Sequence, residues 1–336
     1  MNTKKIYFVE KSTAFNSDDL NSHLIAGSEK TLINITSELS KNDRLDIKVF
    51  NLTKQRKQIN GLEWNNINEI SSYQTPDFLI AMSDANLLSL INCKKKFLWS
   101  HSVQSFEKFL RKKQLFAFIK NKPKMILEGK YHHETRSFLT SFYGKEILPI
   151  SVDYDFIETN VNENLLPNKN AIFTTRPDRN IEFLLNSWSS IFEQSNDSYL
   201  YINPPYNLKR IHIEKNIKLR LKGDKLNLID DLLNSRVFLN PGHKGEVFCL
   251  AAEEARELCV PIVTMGYGSL KERVDHNITG FIANNLNEFI DYSVKLLNDN
   301  ELYFKIKRNL IKKRNSRNYK NVADDFLNIL KINEKY

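Results

Sequence analysis

Two glutamates, Glu246 and Glu254, are the residues whose type and spacing best suit chemistry. They stand in residues 238–263, which read FLNPGHKGEVFCLAAEEARELCVPIV. The residue types run as a strand, a tight turn at Pro241-Gly242, a loop, a helix and a further strand. Glu246 lies just before the helix, where unpaired backbone N–H groups and the positive end of the helix dipole collect. Those amides suit phosphate or sugar oxygens, and a carboxylate beside them adds acceptors for hydroxyls. On the helix, Leu250, Glu254 and Leu258 share one face, so Glu254 is expected in the interior or a cleft. An unpartnered carboxylate is costly there. It either closes an ion pair with an Arg or Lys elsewhere or accepts two adjacent ribose hydroxyls. Glu253 and Glu257 fall on other faces and are expected to be ordinary solvated charges. A second pair, Arg176 and Arg179, follows an apolar run and precedes a helical pattern. Two guanidiniums at a strand end make a bidentate anion site, with a solvated loop as the plainer alternative.

The elements that must position these residues alternate along the chain. The apolar runs 6–10, 46–52, 77–82, 96–99, 125–128 and 147–150 read as strands, several of them continuous enough for a buried parallel sheet. Residues 31–39 carry helical spacing between the first two. Residues 152–169 thin into Asn-rich sequence with Pro167, which reads as a linker. A second alternation follows, with strands at 171–174, 199–203, 218–221, 237–239 and 261–264 and helices at 182–192, 228–233, 250–258 and 288–297. At 336 residues the chain is too long for one ordinary core and suits two α/β domains. The expected fold is two Rossmann-like domains facing a cleft. The first domain is placed at 1–155 and the second at 156–318, with a last helix, 319–336, returning toward the first.

Here the sequence resembles the family-four retaining glycosyltransferases of the GT-B fold. The run from Glu246 to Glu254 fits that family's E-x7-E pattern, in which the first Glu binds donor-sugar hydroxyls and the second the nucleotide ribose. Pro241 before it and residues 257–263, similar to the family's ACGxPVI segment, extend the match, with Cys259 in place of the usual glycine. Residues 266–274 and 279–282 resemble its GGxxE loop and GFL strand. The resemblance implies that Arg176 and Arg179 meet the donor diphosphate. It also implies that His243 and the helix start, Val247, Phe248, Cys249 and Leu250, line the donor site. Residues 26–30 resemble the N-domain glycine loop, which puts Gly27 near phosphate. His101 ends a strand where the family often carries a His near the donor sugar. Residues 147–156 resemble the interdomain segment, with Ile150 and Ser151 replacing Asn-Gly. The implied reaction moves a sugar from a nucleoside-diphosphate-sugar to an acceptor hydroxyl with the anomeric configuration kept, in cell-surface polysaccharide or glycolipid synthesis. Glu246, His101 and Arg179 are its candidate catalytic groups. No cofactor or metal is implied. A nonhydrolysing nucleotide-sugar epimerase is a lesser alternative.

Charge is distributed unevenly. Residues 1–150 carry 23 basic and 15 acidic side chains, residues 151–336 carry 26 and 25, and 94–130 alone carry eleven basic against two acidic. A solvated helix face would explain this, as would an anionic surface. Phe109 and Phe116 interleave with Arg111, Lys112 and Lys113, a mixture suited to the boundary of an anionic membrane. A lipid-linked acceptor on this side is therefore expected, with nucleic acid disfavoured. A non-catalytic basic protein binding membrane or nucleic acid is the rival from another class.

Other signals carry less. Asp153 and Asp155 form a D-x-D in the linker, a weak metal candidate. Gly266-x-Gly268 has no third glycine. His132, His133 and Glu134 are consecutive and cannot chelate together on a helix. The three cysteines have no metal spacing and cannot all pair, which fits a reduced, cytoplasmic compartment. No apolar run approaches the roughly 20 residues of a membrane span, so membrane contact would be peripheral, on the inner face.

Overall fold

A computed structural model describes residues 3–22, 25–204, 215–220, 224–314 and 316–332. The chain divides into two compact units, residues 1–151 with 319–336, and residues 152–318. The boundary falls after Ser151, four residues before the one expected from the sequence. The expected linker instead opens the second unit.

Unit 1 begins with β1 (Lys4–Val9), α1 (Gly27–Leu39), β2 (Leu45–Asn51), β3 (Lys57–Ile59), β4 (Leu62–Asn66), β5 (Phe78–Met82) and β6 (Lys95–Trp99). It continues through α2 (Phe106–Arg111), α3 (Leu115–Asn121), β7 (Lys124–Leu127), α4 (Lys130–Thr135) and β8 (Lys145–Ile147). Unit 2 runs through α5 (Tyr154–Glu158), β9 (Asn170–Phe173), α6 (Ile181–Gln194), β10 (Tyr199–Ile202), β11 (Ile217–Leu219) and α7 (Lys225–Leu233). It ends with β12 (Val237–Leu239), α8 (Leu250–Glu257), β13 (Ile262–Thr264), β14 (Gly280–Ile282), α9 (Leu286–Asn298) and α10 (Asn300–Lys313). Then α11 (Tyr319–Leu330) rejoins unit 1.

Each unit is a doubly wound sheet. The first has strand order β3-β4-β2-β1-β5-β6-β7-β8 and the second β11-β10-β9-β12-β13-β14. Every pairing is parallel except β3–β4. That antiparallel pair turns on Asn60 and Gly61, both with positive φ, as an Asn-Gly hairpin requires. The central strands are buried on both faces, β5 completely and β9 completely, which is why their sequences are continuous apolar runs. In α11, Val322, Phe326 and Leu330 recur at four-residue spacing and are buried. Phe326 stacks on Phe8 at 5.6 Å, so this helix completes the core of unit 1.

The direction in which successive strands are added to the sheet reverses between β1 and β5 in unit 1 and between β9 and β12 in unit 2. At such a switch point the loops after neighbouring strands part to opposite faces and leave a crevice at the carboxyl ends.

Candidate functional site

In unit 2 the loops after β9, β12 and β13 meet at that crevice. Asn240, fully buried at the end of β12, fastens them: its side-chain oxygen accepts from the Gly242 N–H at 3.0 Å and its amide donates to the Thr175 hydroxyl at 3.0 Å. From the first loop, the Asn180 amide donates to the Gly242 carbonyl. Gly242 has φ +88°, and a Cβ there would lie 2.6 Å from the Tyr267 carbonyl oxygen. Gly268 (φ +69°) is packed still tighter, since its Cβ would lie 2.3 Å from the His243 oxygen and 2.8 Å from that of Glu246. The Ser269 N–H donates to the Glu246 carbonyl at 3.0 Å. Glycine is thus what lets the loop after β13 back the one carrying Glu246.

Arg179, His243 and Glu246 come together here. Arg179 donates to His243 Nδ1 at 2.8 Å, and the Gly245 N–H donates to the same nitrogen at 2.9 Å. With two donors aimed at it, Nδ1 carries a lone pair. Burial and then the Arg179 charge hold the His243 pKa below its ordinary value. The Oε2 atom of Glu246 is buried without a hydrogen-bond partner. Burial raises the Glu246 pKa, opposed by Arg179, the Cys249 thiol and Arg176, in that order. A buried carboxylate oxygen left unmatched in the protein is well suited to take a hydrogen bond from a ligand. Arg176 reaches the same neighbourhood electrostatically, but its guanidinium is exposed and grips Asp178 at 2.7 and 3.0 Å.

The helix start departs from expectation in detail. Cys249 precedes α8 in the left-handed region at φ 63° and gives no side-chain cap. Val247, Phe248 and Cys249 are buried, so their side chains do not line an open site; Leu250 is half-buried. Arg273 lies 4.1 Å over the Phe248 ring and donates to its carbonyl at 3.0 Å. Glu254 is half-buried between Leu250 and Leu258, and its charge and that of Glu246 both act on the buried Cys249 thiol. Glu253 and Glu257 are not solvated, contrary to the sequence expectation. Both are buried, with Glu253 held by Arg256 at 2.5 Å and Arg273 at 3.4 Å, and Glu257 by Arg256 at 3.2 Å. Short α8 packs along nearly its whole circumference, so being off the Leu250–Leu258 face did not bring these residues to water. Asp153 and Asp155 are bound by the buried Lys225 ammonium at 3.2 and 2.5 Å, a cation supplied by the chain itself.

In unit 1, Gly27 opens α1. Glu29 in the same first turn is buried and takes hydroxyl donors from Ser12 and Ser28 at 2.7 and 2.8 Å. Nearby Glu10 has its pKa raised by burial, with the Glu29 charge adding to the rise. The Gly27 turn therefore lies beside two carboxyl groups, Glu10 and Glu29. His101 follows β6, with Nδ1 at 2.5 Å from Glu128 Oε1.

The basic segment is α2 and α3. Phe116 is 78% exposed and Leu110 and Ile119 about half exposed, with Arg111, Lys112 and Lys113 on the surface beside them. Phe109, expected on this surface, is a correction: it is buried and packs edge-on against Phe118 at 5.3 Å. The sequence reading missed Phe138, Leu139 and Phe142, which are 73, 50 and 66% exposed. They flank Tyr143, whose ring meets Phe118 and Phe142 and whose hydroxyl reaches the Ile119 carbonyl. An apolar triplet in and just after a short 3-10 helical stretch, Phe138–Ser141, was the available signal. Among the described residues no helix is long and apolar enough to cross a membrane.

Comparison with known proteins supports a GT-B glycosyltransferase likeness. Residues 206–313 match the family model described as glycosyl transferases group 1, a span that includes Glu246 and Glu254. No curated protein sequence matches the chain. Among solved structures, sucrose-phosphate synthase from Thermosynechococcus elongatus is similar with a TM-score of 0.74 at 11% identity, covering 98% of each chain. HepE from Anabaena, solved with UDP and glucose, gives 0.72 at 13% identity, over 98% of this chain and 99% of that one. WaaG, a glycosyltransferase involved in lipopolysaccharide biosynthesis, gives 0.69 at 12% identity, over 96% and 99%. At these identities the likeness is one of fold, and the fold is GT-B.

Proposed function

We propose that this chain of the GT-B glycosyltransferase fold is a retaining enzyme that moves a sugar from a nucleoside-diphosphate-sugar to an acceptor hydroxyl. The observation that carries the reading is the cluster of Arg179, His243 and Glu246 at the β9/β12 switch point, with Glu246 Oε2 buried and unmatched. Arg179 would stabilise the charge that grows on the departing diphosphate, and Glu246 would hold a donor-sugar hydroxyl. Glu254 would take the ribose. The fold's solved relatives with UDP and glucose support the choice of donor class. The reading needs no metal, and activity that persists in EDTA is the expected result. To test the assignment, nucleotide binding is measured by calorimetry for wild type, Glu254→Ala and Glu246→Ala. A lost hydrogen bond to a charged group costs about 1.5–3 kcal/mol, so Glu254→Ala should weaken free nucleoside diphosphate by at least about tenfold. Glu246→Ala should leave it nearly intact while transfer collapses. Equal nucleotide affinity in wild type and Glu254→Ala removes the core of the assignment.

The apolar and basic surface of α2, α3 and residues 138–142 favours a lipid-linked acceptor and peripheral binding to an anionic membrane, in glycolipid or surface-polysaccharide synthesis. Each Lys or Arg near such a surface contributes about 1 kcal/mol. Changing Arg111, Lys112 and Lys113 together to Gln should therefore release the protein from anionic liposomes with donor affinity unchanged. Wild type that ignores these liposomes at physiological salt points to a soluble acceptor.

A further inference from the structure

Unit 1 holds a second buried polar centre, at the carboxyl ends of β6 and β7. The His101 side chain is 10% exposed and that of Glu128 3%, and they meet through Nδ1 and Oε1 at 2.5 Å. The other ring nitrogen of His101, Nε2, is buried with no hydrogen-bond partner. Behind the pair lies His132, fully buried. Its Nδ1 accepts from the Glu128 backbone N–H at 3.2 Å, and its Nε2 lies 3.1 Å from the Ser102 carbonyl. Burial lowers the His132 pKa to about 4, so the ring is neutral at physiological pH. With Nδ1 accepting, its proton is on Nε2, which donates to Ser102.

We propose that Glu128 is the positioning residue for His101: its carboxylate keeps the imidazole proton on Nδ1, so that Nε2 presents a lone pair to a hydroxyl of the bound sugar substrate. The inference rests on the glycosyltransferase reading above. In a neutral imidazole the hydrogen bond made by one nitrogen decides the state of the other. A carboxylate accepts only, so Nδ1 must donate. The geometry around the pair is held from several sides. The His101 N–H donates to the Ser83 hydroxyl at 3.2 Å, the ring lies 5.0 Å from that of Trp99, and Ser100 bonds Ser102 at 2.8 Å and Gln104 at 2.6 Å. The charged and titratable groups acting on the neighbouring His132 are Glu128, His101 and Lys108, and the Lys108 ammonium is spent on Ser102 and Val103. Two buried polar atoms of this network have no partner inside the protein, the Trp99 indole N–H, which can only donate, and His101 Nε2. That residual acceptor is what a substrate hydroxyl would satisfy.

The test has two arms. Nitrogen NMR of the full-length protein at neutral pH, with histidine signals assigned through His101→Asn, reads the tautomers directly. Opposite states are expected, Nδ1–H for His101 and Nε2–H for His132. Glu128→Leu should release His101 toward Nε2–H while His132 stays as it was. Glu128→Gln, which still offers an acceptor oxygen, should restore Nδ1–H. The second arm is kinetic, with whichever of UDP-, GDP- or ADP-glucose the wild type turns over. Glu128→Leu should lower kcat by at least about tenfold, the loss of one hydrogen bond at the reacting ligand, with donor KM nearly unchanged. Glu128→Gln should recover most of it, and Glu128→Leu with His101→Ala should be no slower than His101→Ala alone. A proton on His101 Nε2 in wild type, whether as the Nε2–H tautomer or as the imidazolium, or losses that multiply in the double variant, would overturn the proposal. If none of the three donors is turned over, the tautomer arm decides for Glu128 alone.

Discussion

Glu246→Gln removes the charge from the carboxylate at the β9/β12 crevice while keeping its shape, and the structure predicts opposite effects on stability and on turnover. Glu246 Oε2 is buried and unmatched on a half-buried residue, and desolvation outweighs the opposing pull of Arg179, Cys249 and Arg176, raising the carboxyl pKa above its ordinary 4.5. A raised carboxyl pKa means that protonation favours the folded form. The corresponding stability is fully present below about pH 4.5 and is lost as pH rises through the raised value. Wild type therefore carries a charge-burial penalty at neutral pH that the amide does not, although the amide keeps an unmatched polar atom at the same place. An unsatisfied buried polar atom costs about 1–3 kcal/mol, more when charged. For a unit of residues 152–318, each kcal/mol shifts Tm by roughly 2–4 °C. Thermal unfolding of ligand-free protein should show Glu246→Gln melting several degrees above wild type at pH 7, with the gap narrowing toward pH 4. Transfer should fall in the same variant by about 10- to 100-fold, because a charged hydrogen bond to the donor sugar, worth about 1.5–3 kcal/mol, becomes a neutral one. A variant that melts below wild type at pH 7, or a gap independent of pH, would show that Glu246 is satisfied inside the protein and refute the reasoning.

The two arginines should separate. Arg179→Gln should weaken nucleoside diphosphate by at least about tenfold and nucleoside little, whereas Arg176→Gln should cost less than about threefold, because Asp178 already occupies that guanidinium; equal losses would contradict this. Gly268→Ala would place a methyl 2.3 Å from the His243 carbonyl at φ +69°. Its left-handed backbone alone costs about 1–2 kcal/mol, so denaturant unfolding should show a loss at least that large, together with lost transfer as the Glu246 loop is pushed away. A neutral substitution there would show that the loops do not pack as described.

Much was legible in the residue order because it depends on local repetition. Apolar runs such as 77–82 and 171–173 mark buried parallel strands, since a strand covered on both faces has no place for polar alternation. The Pro241-Gly242 turn and the carboxylates beside α8 were readable for the same reason. The Asn60-Gly61 hairpin was readable too and was missed. Partnership was not legible. Glu253, Glu254 and Glu257 differ by helix position alone, yet the sequence could not say that Arg256 and Arg273 would draw Glu253 and Glu257 inward. Phe109 and Phe116 stand on the same basic segment, and only the packing of Phe118 decides which is core and which is surface. Arg176 and Arg179 were both expected at the diphosphate until Asp178 claimed one and His243 the other. The sequence by itself determined the two α/β halves and the position of the glutamate pair, because periodicity and turn chemistry act within a few residues of one another. Which of those side chains are spent on the protein, and which are left for a ligand, was decided only by tertiary structure, because a buried charge or ring nitrogen is matched by residues that the chain brings from far along its length.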